Sequence, residues 1–215
     1  MELVDIFPAF GLRIDCGPVT LRAMRESDVP RVCELVAEGI HEEGAQPFLV
    51  PWNVSKTQPV ESLQFYYRTW ATFSSEAWTL LMAVERDGVM VGAQDVKTEK
   101  FSIVRHGETG SWLGLRHQGR GTGTLMRQAM LTFAFDHLGA VEMRSAAWAD
   151  NPSSHRVSEK CGYVANGYQL LDRQGRRARQ DDFVATPETF VRPPYEVAVT
   201  GADAFRRAIG LDGER

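Results

Sequence analysis

The 215-residue chain lacks the marks of several large protein classes. It has three cysteines, Cys16, Cys33 and Cys161, far apart and odd in number. That argues against a disulfide framework, and no CxxC pair offers a zinc site. The five histidines show no ligand spacing, and HEEGA after Ile40 lacks the second His of a zinc-protease helix, so no metal is expected. No apolar run approaches the ~18 residues of a membrane span, and MELVDIFPAF has no basic stretch leading into an apolar one. A soluble protein of a reducing, cytoplasmic compartment is expected, with no membrane partner. A basic excess is missing too. Lys and Arg number 24 against 28 Asp and Glu, a formal net charge of -4, which gives no nucleic-acid footprint. Internal repeats and low-complexity tracts are also absent. What remains is an ordinary globular composition, 43% hydrophobic and 24% charged, on a chain long enough for one sizeable core.

Periodicity divides the chain into elements. Residues 1–17 read as an irregular arm punctuated by Pro8, Gly11 and Gly17. VTLRAMR from Val19 alternates as a half-buried strand does. Ser27 or Asp28 then caps a helix carrying Val29, Val32, Val36 and Ile40. HEEGAQPFLVPWNVSKTQP is a long polar-and-proline connection, and loops of that length in compact domains tend to be functional. A second helix is predicted over residues 60–74, with Tyr66, Tyr67 and Trp70 among its aromatics. Two apolar runs around Asp87-Gly88 predict a β-hairpin. ETGSWLGL, residues 108–115, is a strand that leads into RHQGRGTGTLM, and the following helix stops at Gly139. Strand 141–150, helix 151–162 and a strand from Tyr163 come next. Arg173 to Arg179 reads as a basic turn, DDFVATPETF as a last core strand, and residues 193–215 as a short extension packed on the same domain. The main domain is thus placed at 18–192.

The stretch from Arg116 to Met126 holds three glycines within five positions and then turns into helix formers. A strand, a glycine-rich turn and a helix start together make an anion site, because unpaired N–H groups of the first helical turn point outward. Gly119, Gly121 and Gly123 let phosphate oxygens approach the backbone without meeting a Cβ. The spacing discriminates among phosphate binders. No Lys follows the glycines as a Walker A loop requires, and GxGxxG fails at its last position from either Gly119 or Gly121. Gln118-Gly119-Arg120-Gly121-Thr122-Gly123 fits Q/R-x-x-G-x-G/A without a gap. On these residues alone, a flexible glycine turn remains the alternative.

VTLRAMRESDV, GSWLG, HQGRGTGT, FAFDHLGA and DNPSSHRVSEKCGY together resemble the GNAT superfamily of acyl-CoA N-acyltransferases. The similarity is strongest to the branch that includes ribosomal-protein N-terminal acetyltransferases, and it runs from about Val19 to Phe190. It implies an α+β fold, with a mixed, mostly antiparallel twisted sheet splayed at its centre and flanked by helices. By the same similarity, main-chain groups of Leu113 and Leu115 bind the pantetheine arm, and amides from Gly119 to Thr124, in the loop opened by Gln118, hold the pyrophosphate. Asn151 contacts the cosubstrate from the other side, and Arg156 is either a phosphate contact or an ordinary surface arginine.

The implied reaction moves an acyl group, acetyl by default, from acyl-CoA to a primary amine of a small molecule or a protein N-terminus. Ser158 in VSEKCGY takes the position where many relatives carry a tyrosine acid, and matches the serine of the ribosomal-protein branch; the alternative is a helix-surface serine. Glu108 is the leading base candidate and Asp95 the next, the alternative for Glu108 being a solvated strand end. Trp52, Tyr66, Tyr67 and Trp70 are acceptor-pocket or core residues. Succinyl-CoA is the rival donor, with Arg105, Arg173, Arg176, Arg177 and Arg179 as candidate carboxylate partners. From another class, a non-catalytic acyl-CoA-binding module on the same fold stays open. The aromatic helix makes a homodimer a further expectation.

Overall fold

The alternating run VTLRA forms strand β2 (Val19–Ala23), burying Val19, Leu21 and Ala23 while Thr20 and Arg22 stay half-exposed, as the two-residue period requires. It is one of nine strands in a computed structural model that describes residues 1–211. The others are β1 (Arg13–Cys16), β3 (Ala77–Arg86), β4 (Val89–Glu99), β5 (His106–Leu113), β6 (Glu142–Trp148), β7 (Val164–Arg173), β8 (Arg176–Ala185) and β9 (Val197–Thr200). Their order across the sheet is β7-β8-β6-β5-β4-β3-β2-β1-β9. Every neighbouring pair with a recorded register is antiparallel except β5 with β6, which run parallel. Asp87 and Gly88 join β3 to β4 with φ of 51° and 76°, and two positive φ values in succession match the twist of the strands they connect.

Helices cover both faces. Besides the one-turn α1 (Leu3–Ile6), α2 (Val29–Glu38) and α3 (Gln58–Ala71) lie over Leu81 and Ala83 of β3. After the one-turn α4 (Phe101–Val104), α5 (Thr122–Thr132) continues into a π-helical turn at Phe133–His137 and lies over β1 and β2 on the opposite face of the sheet, in one core with Leu80, Met82 and Val84. The remaining helices are α6 (Pro152–Lys160) and α7 (Ala202–Ala208). Phe205 of α7 meets Trp78 and Phe133 at ring-centroid distances of 5.4 and 5.9 Å, and burying a side chain of that size contributes ~1.5–3 kcal/mol. No helix among the described residues is long and apolar enough to cross a membrane.

Two local expectations change. Residues 1–17 are not an irregular arm: they carry α1, a 3-10 turn at Pro8–Gly11 and β1. Ile14 and Cys16 are fully buried, but four residues are too few for a strand period to stand out. β1 pairs on one side with β2 and on the other with β9, Arg13 lying opposite Thr200, so the N-terminal segment and the C-terminal extension together form one edge of the sheet. The basic turn expected over residues 173–179 shrinks to Gln174 and Gly175, with Arg176 to Arg179 already in β8. Residues 212–215 of the extension lie outside the described residues.

Candidate active site

β5 and β6 pair only at His106, Gly107 and Glu108, opposite Glu142, Met143 and Arg144. Beyond that they part, β5 staying with β4 as far as Leu113 and β6 with β8 as far as Trp148. At the apex, the Thr109 hydroxyl donates to the Arg144 carbonyl at 3.1 Å and lies 3.2 Å from the Tyr163 hydroxyl. Further along, Arg127 of α5 reaches Ser111 on one strand and Ser145 on the other. Gly114 N–H donates to Val91 O at 2.9 Å, toward β4. By strand alternation the main-chain groups of Ser111 and Leu113 therefore face the gap.

The glycine loop closes the wide end of this gap. Gly119 and Gly121 adopt φ of 72° and 80°, and a Cβ built on either would meet nothing within 4 Å. Glycine is required there by backbone conformation, and the space outside is open. The Gln118 N–H is bonded to Leu115 O at 3.1 Å, and the next main-chain bond after the loop is Leu125 N–H to Gly121 O at 3.1 Å. The amides of residues 119–124, from Gly119 through Arg120, Gly121, Thr122 and Gly123 to Thr124, donate to no main-chain carbonyl among the described residues. Six consecutive free donors at the N-terminus of an eleven-residue helix make an anion site. Arg86 braces the loop from behind, donating to Arg120 O at 2.9 Å and to the Thr122 hydroxyl at 2.8 Å.

The other expected cosubstrate residues fall around this loop. Gln118 turns its side chain inward, to Leu113 O at 3.0 Å and Ile40 O at 2.9 Å, so it props the end of β5. Leu115 begins a 3-10 turn, and its N–H is taken by Gly39 O at 2.9 Å, which leaves strand-like pairing to Leu113 and Ser111. Asn151 caps α6, its Oδ1 accepting the Ser154 N–H at 3.1 Å. Arg156 is exposed, one turn along that helix. Ser158 is 1% exposed, on the helix whose Val157 touches the Gly123 position. Burial and the neighbouring Arg116 and Arg120 push the His117 imidazole below its usual pKa.

The opposite face of β4 and β5 carries the carboxylates. Asp95 lies opposite Gly110, and a Cβ at Gly110 would stand 2.9 Å from Asp95 Oδ2, so only glycine leaves room for this carboxylate. Burial pushes the Asp95 carboxyl up to about 6 against the pull of Lys97 and Arg127. Glu108 lies one step toward the closed end and pairs with Lys97 at 3.3 Å. Leu81 of β3 lies opposite Asp95, whose charge also acts on the buried Tyr66. The segment between α2 and α3 straps this face. It is tied to the loop through Gly39 and Ile40, to Trp112 through Trp52 at a ring distance of 5.8 Å, and to the far side of the gap through Arg173, which donates to Gln46 O. Tyr66 is buried, while Tyr67 is 46% exposed and stays at the surface.

The arginines considered for a succinyl carboxylate are elsewhere. Arg105 donates to Leu138 O, Arg173 pairs with Asp150 and Arg179 with Asp181, and Arg176 and Arg177 are exposed at the start of β8. The sequence reading passed over Arg86, Trp112 and Arg127. Arg86 had no signal, since its partners lie 34 and 36 residues away. Arg127 had one, a charged residue inside the apolar run of TLMRQAML.

A sheet that parts between two parallel strands, with an anion-ready loop at the open end, offers a groove with a phosphate-sized anion site at its mouth. The acetyltransferase (GNAT) domain profile matches residues 19–164, more than half of the chain, and the protein belongs to that family of acetyltransferases. Among solved structures, Mycobacterium smegmatis RimJ in complex with CoA-disulfide aligns with a TM-score of 0.67 at 20% identity, over 92% of each chain. RimL, the ribosomal L7/L12 alpha-N-protein acetyltransferase in complex with coenzyme A, gives 0.67 at 19% identity, over 79% of this chain and 94% of its own. A chimera of spermidine N-acetyltransferase SpeG from Vibrio cholerae and hSSAT gives 0.64 at 20%, over 79% and 96%. At these identities the likeness is one of fold.

Proposed function

We propose that the protein transfers an acetyl group from acetyl-CoA to a primary amine by direct attack, with the pyrophosphate on the free amides of 119–124 and the pantetheine arm between β5 and β6. The row of six unpaired N–H groups beside the parted strands carries this reading. The amine nitrogen attacks the thioester carbonyl carbon and forms the C–N bond. The oxyanion collapses, the C–S bond breaks, and the sulfur keeps the electron pair. One proton leaves the nitrogen and one reaches the thiolate, giving amide and CoA thiol.

Asp95 is the proton acceptor in this scheme. It faces the acceptor side beside Gly110, where the strands have parted, and burial pushes its carboxyl up to about 6, toward the range that suits a base at physiological pH. Glu108 is the second candidate, held by Lys97 at the closed end. Ser158 protonates the thiolate. An α-amine with a pKa of ~7.7–8.0 costs about 1–1.4 kcal/mol to deprotonate at pH 7, against about 4.6 kcal/mol for a lysine amine. A single weak carboxylate therefore suits an N-terminal or similarly acidic amine. The placement of Arg105, Arg173 and Arg179 on other partners favours acetyl over succinyl.

Calorimetric titration with acetyl-CoA, succinyl-CoA and CoA tests the donor, and thiol release with peptide N-termini, spermidine and lysine tests the acceptor. Micromolar binding of acetyl-CoA with turnover on an α-amine supports the proposal. Absence of binding of all three ligands overturns it.

A further inference from the structure

The cluster beneath the parted strands is polar, buried and short of negative charge. Arg127 is 4% exposed in the interior of α5, and a guanidinium stays charged at every pH a protein meets. Taking such a charge out of water costs several kcal/mol unless an anion or a full set of acceptors replaces the water. Here the replacements are two hydroxyls, Ser111 Oγ at 2.9 Å and Ser145 Oγ at 3.0 Å, and the face of the Tyr163 ring at 5.9 Å. Its Nε is buried with no acceptor, and no carboxylate pairs with it among the described residues.

The titratable groups around it do not balance the charge. Tyr163 and Cys161, at the corner after α6, are both pushed up by burial, Cys161 to about 11, and stay neutral at pH 7. Asp95 feels Arg127 only from a distance, its carboxylate lying over Gly110 on the acceptor face. A second side chain in the cluster is also unsatisfied. Gln94, the register partner of Ser111 on β4, is 1% exposed, and neither its Oε1 nor its Nε2 has a hydrogen-bond partner.

The position says which anion would complete the site. The last joined pair of the two strands is Glu108 with Arg144. Ser145 is the next residue of β6 and Ser111 the third beyond on β5, so the guanidinium forks across the start of the gap. The phosphates are accounted for at the exposed loop. The acyl-transfer step itself creates one further anion in the gap, the sulfur that leaves the tetrahedral intermediate with the electron pair. We infer that Arg127 stabilises the departing coenzyme A thiolate, with Ser111 and Ser145 holding its guanidinium at the split; this rests on the acyl-CoA reading above. The thioester is neutral and the thiolate is not, so the attraction is gained mainly as the C–S bond breaks, and it acts on kcat more than on cosubstrate affinity.

The test measures the thiol of bound CoA directly. CoA is bound to the wild-type protein and to R127K and R127M, occupancy is fixed by calorimetry, and thiolate absorbance is followed against pH with the apo protein as baseline. In the wild type, at least tenfold more thiolate is expected at a given pH below the midpoint than for free CoA, a fall of about one pH unit in that midpoint. R127K is expected to keep most of the fall and R127M to lose it, with kcat for acetyl transfer at least tenfold lower in R127M. CoA bound by the wild type with an unshifted thiol overturns the inference and leaves the acyl-CoA reading standing. A shift that persists in R127M overturns it equally. No binding of CoA by the wild type overturns the acyl-CoA reading and this inference with it. Where R127M fails to fold, an unshifted thiol in the wild type still overturns the inference.

Discussion

The two sides of the parted sheet are built by different means. The side we propose for the donor is main chain: six free amides in one loop, two glycines at positive φ, and strand edges left unpaired. The side we propose for the acceptor is side chain, with Asp95 over Gly110, Trp52 against Trp112, and Arg173 holding the strap at Gln46. A cosubstrate common to many enzymes suits a backbone site, which tolerates change in side chains. An acceptor that differs among relatives suits a surface of side chains that can be exchanged without moving the strands. Mutations should therefore separate cleanly into those that change CoA affinity and those that change acceptor use.

The largest effect is expected at Gly121. Glu there meets a φ of 80° and sets a negative charge against the phosphates, so CoA affinity should fall by about a thousandfold. Calorimetry checks it, and unchanged affinity would move the cosubstrate away from the loop. Asp95→Asn should lower kcat/KM for the acceptor by about a hundredfold, leave CoA affinity unchanged and remove a limb near pH 6 from the rate profile. If E108Q removes that limb instead, the base is Glu108.

The same change carries a stability prediction. Burial holds the native carboxyl at about 6, above the ~3.9 of an unfolded Asp, so the native state binds this proton more tightly. The resulting stabilisation is fully present below about pH 4 and is lost as pH rises through 6. The uncharged amide keeps it. D95N should thus be more stable than the wild type at pH 8, by on the order of 3 kcal/mol at most, and level with it near pH 4. A lower melting temperature at pH 8 would show that Asp95 is not strained by its burial.

Smaller effects sharpen the division. Arg86→Met removes two hydrogen bonds from behind the loop and should weaken CoA binding about tenfold with little change in acceptor KM. Trp52→Ala removes the ring contact with Trp112 and should raise acceptor KM about fivefold while CoA affinity stays put. Equal effects of these two variants on both substrates would erase the distinction between the sides.

Much of the donor side was legible because its signals are local. Gly119, Gly121 and Gly123 lie within five residues, and the strand before them and helix after them have their own periods. The hairpin at Asp87-Gly88 and the helix that opens after Asn151 were legible for the same reason. Arg86 was not, because a brace reaching 34 residues along the chain leaves no mark near the loop. β1 was lost to its shortness, and its pairing with β9 joins segments some 185 residues apart. Glu108 ranked before Asp95 because a strand-start carboxylate is visible in sequence, whereas the burial that raises Asp95 arises only once β3, β4 and β5 are paired around it, against the pull of Lys97.

By itself the sequence determined the glycine loop, most of the elements that flank it and the family they belong to, since main-chain anion sites of this kind are written in a few consecutive residues. Only the tertiary structure decided where β5 and β6 part, which carboxylate is enclosed, and that Arg127 lies charged beneath the split. Those depend on desolvation and on cross-strand neighbours, and both are set by residues brought together from across the whole chain.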